Sequence, residues 1–294
     1  MKNSLAVINT PENPYRLVTT DGVEFWTLPG INTLAELLQM KLADIEKLVD
    51  GVAGEQIYGE LAAPVAAEIE IWGAGVTYLR SRDARKEESG APDVYQRVYE
   101  ADRPELFFKS SAVRTVGNGA EIGIRQDSFA SVPEPEVAVL VNIFQEIIGL
   151  TICNDVTART IEGENPLYLS QAKIYLGSNS LGPLIRPIWQ ITELAKIGIQ
   201  ASILRDGTLI WEAQTSLGAL NRTLADLVDY LFRCQVFPYG VILSTGTGII
   251  PPLDISLFPG DVVTISVDEI GTLQNLVKVI PFESHALALG LQGR

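Results

Sequence analysis

The run Pro133-Glu134-Pro135-Glu136-Val137-Ala138-Val139-Leu140-Val141 constrains this chain more than any other stretch. Its five consecutive apolar residues read as a buried strand, yet two glutamates open it. Side chains alternate faces along a strand, so Glu134, Glu136 and Ala138 share one face while Val137, Val139 and Val141 share the other. Two like charges that close in a half-buried sheet cost several kcal/mol of desolvation and repulsion unless a cation or a proton offsets them. Something positive is expected beside them.

Length and composition narrow the classes. At 294 residues and 47% hydrophobic content, the chain can build one large or two moderate domains with an ample core. A net charge of -14 argues against a nucleic-acid or anionic-membrane partner, both of which need clustered Lys and Arg. Two cysteines, Cys153 and Cys234, cannot make a disulfide framework and suit a reducing compartment. The apolar run near the start, Leu5 to Ile8, is too short for a signal peptide or a membrane span, so a cytoplasmic protein is expected.

The expected fold class is α+β, mainly β, in two parts. Residues 1–66 read as a small N-terminal α/β domain. Strand-like pieces at Leu5 to Ile8, Tyr15 to Thr19 and Glu24 to Leu28 precede one helix. A Thr33/Glu36 capping box opens that helix, and Leu34, Leu37, Leu38, Leu42, Ile45 and Leu48 stand at helical spacing. Residues 67–294 read as a larger, strand-rich domain, with turn signals at Gly117-Asn118-Gly119, Arg205-Asp206-Gly207 and Phe258-Pro259-Gly260-Asp261, and an amphipathic helix from Leu224 to Arg233. The charged stretch from Arg80 to Arg103 has too few apolar residues for a core element and reads as a mobile surface segment, helical in part.

A third carboxylate appears where the apolar strand Ile147 to Cys153 ends in Asn154-Asp155. Glu134, Glu136 and Asp155 together would make an all-oxygen cluster suited to Mg²⁺, Mn²⁺ or Ca²⁺. Zinc is not expected, because no His or Cys set has zinc spacing and His285 is the only histidine. On spacing alone a second reading stands equally: two solvent-facing glutamates of an edge strand, with Asp155 as a cap or turn residue.

Five blocks, PEPEVAVLVN (133–142), GLTICNDVTAR (149–159), QAKIYLGSNSLGP (171–183), STGTGI (244–249) and LFPGDVVTISVDEIGTLQN (257–275), resemble the successive blocks of the fumarylacetoacetate hydrolase superfamily, in the family's order. The resemblance covers roughly residues 70 to 280. It implies a β-roll catalytic domain, a divalent cation held by Glu134, Glu136 and Asp155, Lys173 close to that metal, and a homodimer or homotetramer. The metal ion would then supply the offsetting charge.

Hydrolytic members of that superfamily carry a Gly-x-Asn-Tyr-x-x-His-x-x-Glu block whose His-Glu dyad activates water. Here Ser81 stands at the histidine position and Ala84 at the glutamate position. A serine does not take a proton from water near neutral pH as an imidazole does. The runs 161–173 and 103–109 instead resemble the 2-keto-3-deoxy-sugar-acid dehydratases. That resemblance implies a Mg²⁺-dependent lyase acting on a small-molecule 2-keto acid such as 2-keto-3-deoxy-D-arabinonate. The acid would chelate the metal through its carboxylate and carbonyl and lose water through a metal-stabilised enolate. Lys173 and Glu105 are the candidate catalytic pair, with Glu87 and Glu88 weaker candidates. Substrate-binding groups are expected at Ser244, Thr245, Gly246 and Thr247, through backbone N–H groups, and at Arg80 and Arg82. The alternative is a C–C hydrolase or decarboxylase of an acylpyruvate-like diketo acid.

Overall fold

The structure is a computed structural model that describes residues 4–51, 54–80, 92–252 and 254–282. In chain order the strands are β1 (Ser4–Asn9), β2 (Arg16–Thr20), β3 (Phe25–Thr27), β4 (Gln56–Ile57), β5 (Glu60–Leu61), β6 (Glu70–Gly75), β7 (Glu105–Ser111), β8 (Thr115–Val116) and β9 (Glu121–Arg125). They continue with β10 (Pro135–Val141), β11 (Ile147–Asp155), β12 (Asn179–Pro187), β13 (Gly198–Arg205), β14 (Thr208–Ser216), β15 (Val241–Thr247), β16 (Val262–Val267) and β17 (Gly271–Ile280). The larger sheet runs β4, β3, β2, β1, β12, β11, β10, β15, β6, β7, with β5 paired to β1 and β8 to β12. The smaller runs β14, β13, β16, β17, β9.

β10 lies in the middle of the larger sheet, antiparallel to both β11 and β15, and every residue of it is buried. Its two apolar faces feed two cores. Val137, Val139 and Val141 pack with β11, β13, β16 and the helix Leu224–Phe232 in the core between the sheets. Ala138 and Leu140 pack on the other side, against residues of the N-terminal part such as Leu34, Leu38 and Ile45. Because β1 pairs with β12 through Leu5 and Ile185, the N-terminal strands extend the same sheet.

The capping box at Thr33 and Glu36 forms as expected, but the single long helix does not. The chain makes two helices, Leu34–Leu37 and Leu42–Val49. The turn between β10 and β11 causes the break. Ile143 N–H donates to the Leu38 carbonyl (3.0 Å), Asn142 Nδ2 donates to the Met40 carbonyl (2.9 Å), and the Glu146 carboxylate accepts from Leu42 N–H (2.7 Å). A helix running through would need those carbonyls and that N–H for itself. The helix Leu224–Phe232 does form as read, opened by a Thr223/Asp226 capping box and burying Leu227, Val228, Leu231 and Phe232. At the β13–β14 turn Asp206 (φ 50°) and Gly207 (φ 75°) both take the left-handed conformation that a two-residue hairpin requires.

Within the charged stretch, residues 81–91 lie outside the described residues, and with them Ser81, Arg82, Ala84, Glu87 and Glu88. The helical part is Pro92–Glu100. It does more than cover the surface, since Tyr95 is buried and Val94, Tyr95 and Val98 line the cavity described below. Its C-terminal end is held by Arg222, which donates to the carbonyls of Val98, Ala101 and Asp102, and by Asn221, which donates to that of Tyr99.

Candidate active site

Strand register assembles the acidic group. Glu136 pairs with Cys153, and Asp155 N–H donates to the Glu134 carbonyl (3.0 Å). Stepping two residues from each partner therefore puts Glu134, Glu136, Cys153 and Asp155 on one face of the sheet. The carboxylates of Glu134, Glu136 and Asp155 converge, with one oxygen from each lying within 4.8 Å of the others. Their exposures are 3%, 2% and 2%, which removes the edge-strand reading. Cys153 turns away from the cluster chemically, its thiol donating to Asn179 Oδ1 (3.2 Å).

Three side-chain cations surround these carboxylates. Lys173, at the end of the helix Leu169–Lys173, donates to Glu134 Oε2 (2.8 Å), Asp155 Oδ2 (3.0 Å) and Thr157 Oγ1 (2.7 Å). Thr157 uses its own proton on the Asp155 carbonyl, so it accepts from Lys173, and all three N–H bonds of an ammonium are engaged. Lys109 on β7 is completely buried, 2.5 Å from Asp155 Oδ1, and donates to the Lys173 carbonyl (2.5 Å). Arg159 reaches Glu134 Oε1 (3.4 Å) and Glu162 Oε2 (3.8 Å). The offsetting charge expected beside these carboxylates thus comes in part from the protein's own side chains, in addition to an ion the trio could hold.

Glu136 is the carboxylate without one of these cations within ion-pair distance. Ser244 Oγ (2.5 Å) and Gly246 N–H (2.9 Å) both donate to its Oε2. Burial, and after it the charges of Asp155 and Glu134, push its carboxyl from 4.5 up to about 8. Burial likewise lowers the Lys109 ammonium against the pull of Asp155, and raises the Cys153 thiol.

The trio opens onto a cavity that is also lined by Glu105, Phe107, Glu162, Leu169, Lys173, Gly246 and Thr247. Glu105 opens β7 opposite Gly75 of β6. A Cβ at Gly75 would stand 2.1 Å from Glu105 Oε2, so glycine there is what lets the carboxylate lie over the strand. The donor set fits a hard dication, because three buried carboxylate oxygens converge within reach of one ion while the nearby thiol is engaged elsewhere.

The family model for the fumarylacetoacetate (FAA) hydrolase C-terminal region matches residues 70–278. The chain belongs to the fumarylacetoacetate hydrolase family. This family member is 42% identical over 238 residues to a protein of Haloferax volcanii described as a probable 2-keto-3-deoxyxylonate dehydratase, covering 81% of this chain and 82% of the relative. It is 40% identical over 213 residues to the 2-dehydro-3-deoxy-D-arabinonate dehydratase of Saccharolobus solfataricus, covering 71% and 72%. Among solved structures, 2-keto-3-deoxy-D-arabinonate dehydratase complexed with magnesium and 2,5-dioxopentanoate superposes with a TM-score of 0.78 and 31% identity, over 95% of this chain and 99% of that one. The fold is accordingly the family's mainly-β roll.

The structure brings together Glu134, Glu136, Asp155, Lys173, Glu105, Gly246 and Thr247 around one cavity. Ser244 and Thr245 lie behind it: Ser244 holds Glu136, and Thr245 Oγ1 donates to the Val137 carbonyl (2.8 Å). The Gly246 N–H expected to meet substrate is engaged with Glu136. Arg80 is exposed and is not among the cavity's lining residues, while Arg82 lies outside the described residues. Sequence reasoning gave no role to Lys109, Arg159 or Glu162. The signal for Lys109 was a lysine inside the strand ELFFKSS. For the other two it was an Arg and a Glu three apart, directly after the acidic strand end.

Proposed function

We propose that this chain is a Mg²⁺-dependent dehydratase of 2-keto-3-deoxy sugar acids, converting a substrate such as 2-keto-3-deoxy-D-arabinonate to 2,5-dioxopentanoate. One observation carries this: the buried carboxylate trio shares its cavity with Lys173 and Glu105, in a chain 40% identical to a dehydratase of that class. Glu134, Glu136 and Asp155 would hold the ion, which when bound supplies Lewis acidity that makes the C3 proton of a 2-keto acid removable.

The chain's own residues then divide the work. Lys173, its three N–H bonds all donated, acts as a fixed positive charge that favours the negative oxygen at C2. Glu105 is assigned as the base for the C3 proton, which it returns to the departing C4 hydroxyl as water forms. The apolar lining from Val94, Phe107 and Leu169 limits the bulk water that competes for those protons. Ser244 and Gly246 orient Glu136.

No helix among the described residues is long and apolar enough to cross a membrane. A cytoplasmic homodimer or homotetramer completes the proposal, on the family resemblance alone. The test is incubation of the purified protein with Mg²⁺ and a panel of 2-keto-3-deoxy pentonates, 2-keto-3-deoxy hexonates and acylpyruvates. Formation of 2,5-dioxopentanoate is expected; pyruvate release from a diketo acid, with no dehydration, would overturn the proposal in favour of C–C hydrolysis.

A further inference from the structure

Glu162 takes no part in the steps above, yet it lines the same cavity and is only 4% exposed. It stands in the first turn of the helix Arg159–Glu164. Arg159 of that helix lies 3.4 Å through Nη2 from Glu134 Oε1 and 3.8 Å through Nε from Glu162 Oε2, so one guanidinium sits between Glu162 and a carboxylate of the trio.

Water loss alone does not make the dioxo acid. A five-carbon 2-keto-3-deoxy acid that gives up its C3 proton and C4 hydroxide becomes 5-hydroxy-2-oxopent-3-enoate, an isomer of 2,5-dioxopentanoate. To convert one into the other, a proton must leave C5. Its C–H pair then forms C4=C5, the C3=C4 pair moves to C2=C3, and the C2 carbonyl pair moves onto oxygen. A proton delivered to C3 restores the C2 carbonyl and leaves an enol at C5. That enol becomes the aldehyde when its O–H proton leaves and C4 takes one up. C5 is oxidised and the C3–C4 unit is reduced, so no outside oxidant or reductant enters. The reaction thus asks for a second base, two carbons beyond the one served by Glu105.

We propose that Glu162 serves this far end of the substrate. Its carboxylate accepts a hydrogen bond from the C5 hydroxyl and takes the C5 proton once water has left. The assignment rests on the dehydratase reading, and the experiment separates the two. Wild type and Glu162→Gln are each followed by proton NMR in D₂O with Mg²⁺ and 2-keto-3-deoxy-D-arabinonate. For Glu162→Gln, deuterium exchange at C3 and water loss are expected to continue. The unsaturated acid accumulates, visible by its vinyl protons, and dioxopentanoate formation falls by roughly a hundredfold or more. Dioxopentanoate at the wild-type rate would overturn the assignment. So would loss of C3 exchange in a variant that melts at the wild-type temperature, because Glu162 would then act before water loss. If Glu162→Gln does not fold, Glu162→Asp carries the test, with accumulation of the unsaturated acid expected and an unchanged product rate refuting the role. Failure of the wild type to exchange C3 or lose water would instead sink the dehydratase reading, and Glu162's role with it.

Discussion

Lys109→Met removes a cation whose side chain is wholly buried, with Nζ 2.5 Å from Asp155 Oδ1 and 2.5 Å from the Lys173 carbonyl oxygen. At an effective dielectric of about 20, opposite unit charges that close attract by about 7 kcal/mol. Desolvating both ions takes back most of this, so the pair adds little net stability when intact. Breaking it from one side is different, because the Asp155 carboxylate stays buried after its partner has gone. Such losses run to ~3–5 kcal/mol. The low end, roughly 3 kcal/mol, is expected here because Lys173 still holds the other Asp155 oxygen. Urea unfolding in the presence of a chelator measures it, as a lower midpoint at unchanged slope. Adding Asp155→Asn removes the stranded charge and is expected to recover part of the loss, which makes the double variant more stable than Lys109→Met alone. A single variant within about 1 kcal/mol of wild type, or a double variant no better than the single one, would refute this view of Lys109.

Gly75→Ala puts a methyl 2.1 Å from the present position of Glu105 Oε2, so the carboxylate must move; kcat is expected to fall about a hundredfold with little change in melting temperature, and an unchanged kcat would remove Glu105 from catalysis. Arg222→Ala strips the end of the helix Pro92–Glu100 of its guanidinium partner, and faster amide exchange confined to that helix, with a higher KM, is the expected result. In the metal-free protein Glu136 holds its proton up to about pH 8, whereas an unfolded glutamate loses it near 4.5. The folded chain therefore binds more protons across that window, and metal-free stability falls as pH rises through it. Mg²⁺ must displace the same proton, so affinity rises with pH up to about 8, and calorimetry in two buffers of different ionisation enthalpy should read proton release on binding at pH 7.

Local pattern sufficed wherever one residue's preference decided the outcome. The apolar run of β10, the left-handed turn at Asp206-Gly207 and the capping boxes at Thr33 and Thr223 were all legible for that reason. The convergence of Glu134, Glu136 and Asp155 was legible in part: strand alternation aligned the first two, but only the pairing of β10 with β11 places the third. What escaped depended on distant partners. The helix break after Leu38 is made by residues 142–146, about a hundred positions away, and no local signal at Leu38 announces it. Lys109 reads as an ordinary strand lysine until the helix Leu169–Lys173 supplies a carbonyl and β11 supplies Asp155. Val94, Tyr95 and Val98 were hidden by the charges around them, which outweigh three apolar residues in a composition count.

Crystals soaked in Mn²⁺, with anomalous diffraction collected at the manganese edge, test the central claim most directly. A single peak is expected among Glu134, Glu136 and Asp155, at ordinary coordination distance from an oxygen of each. A peak elsewhere, or none with Lys173 still bridging Glu134 and Asp155, would contradict the assignment of these residues as the metal site.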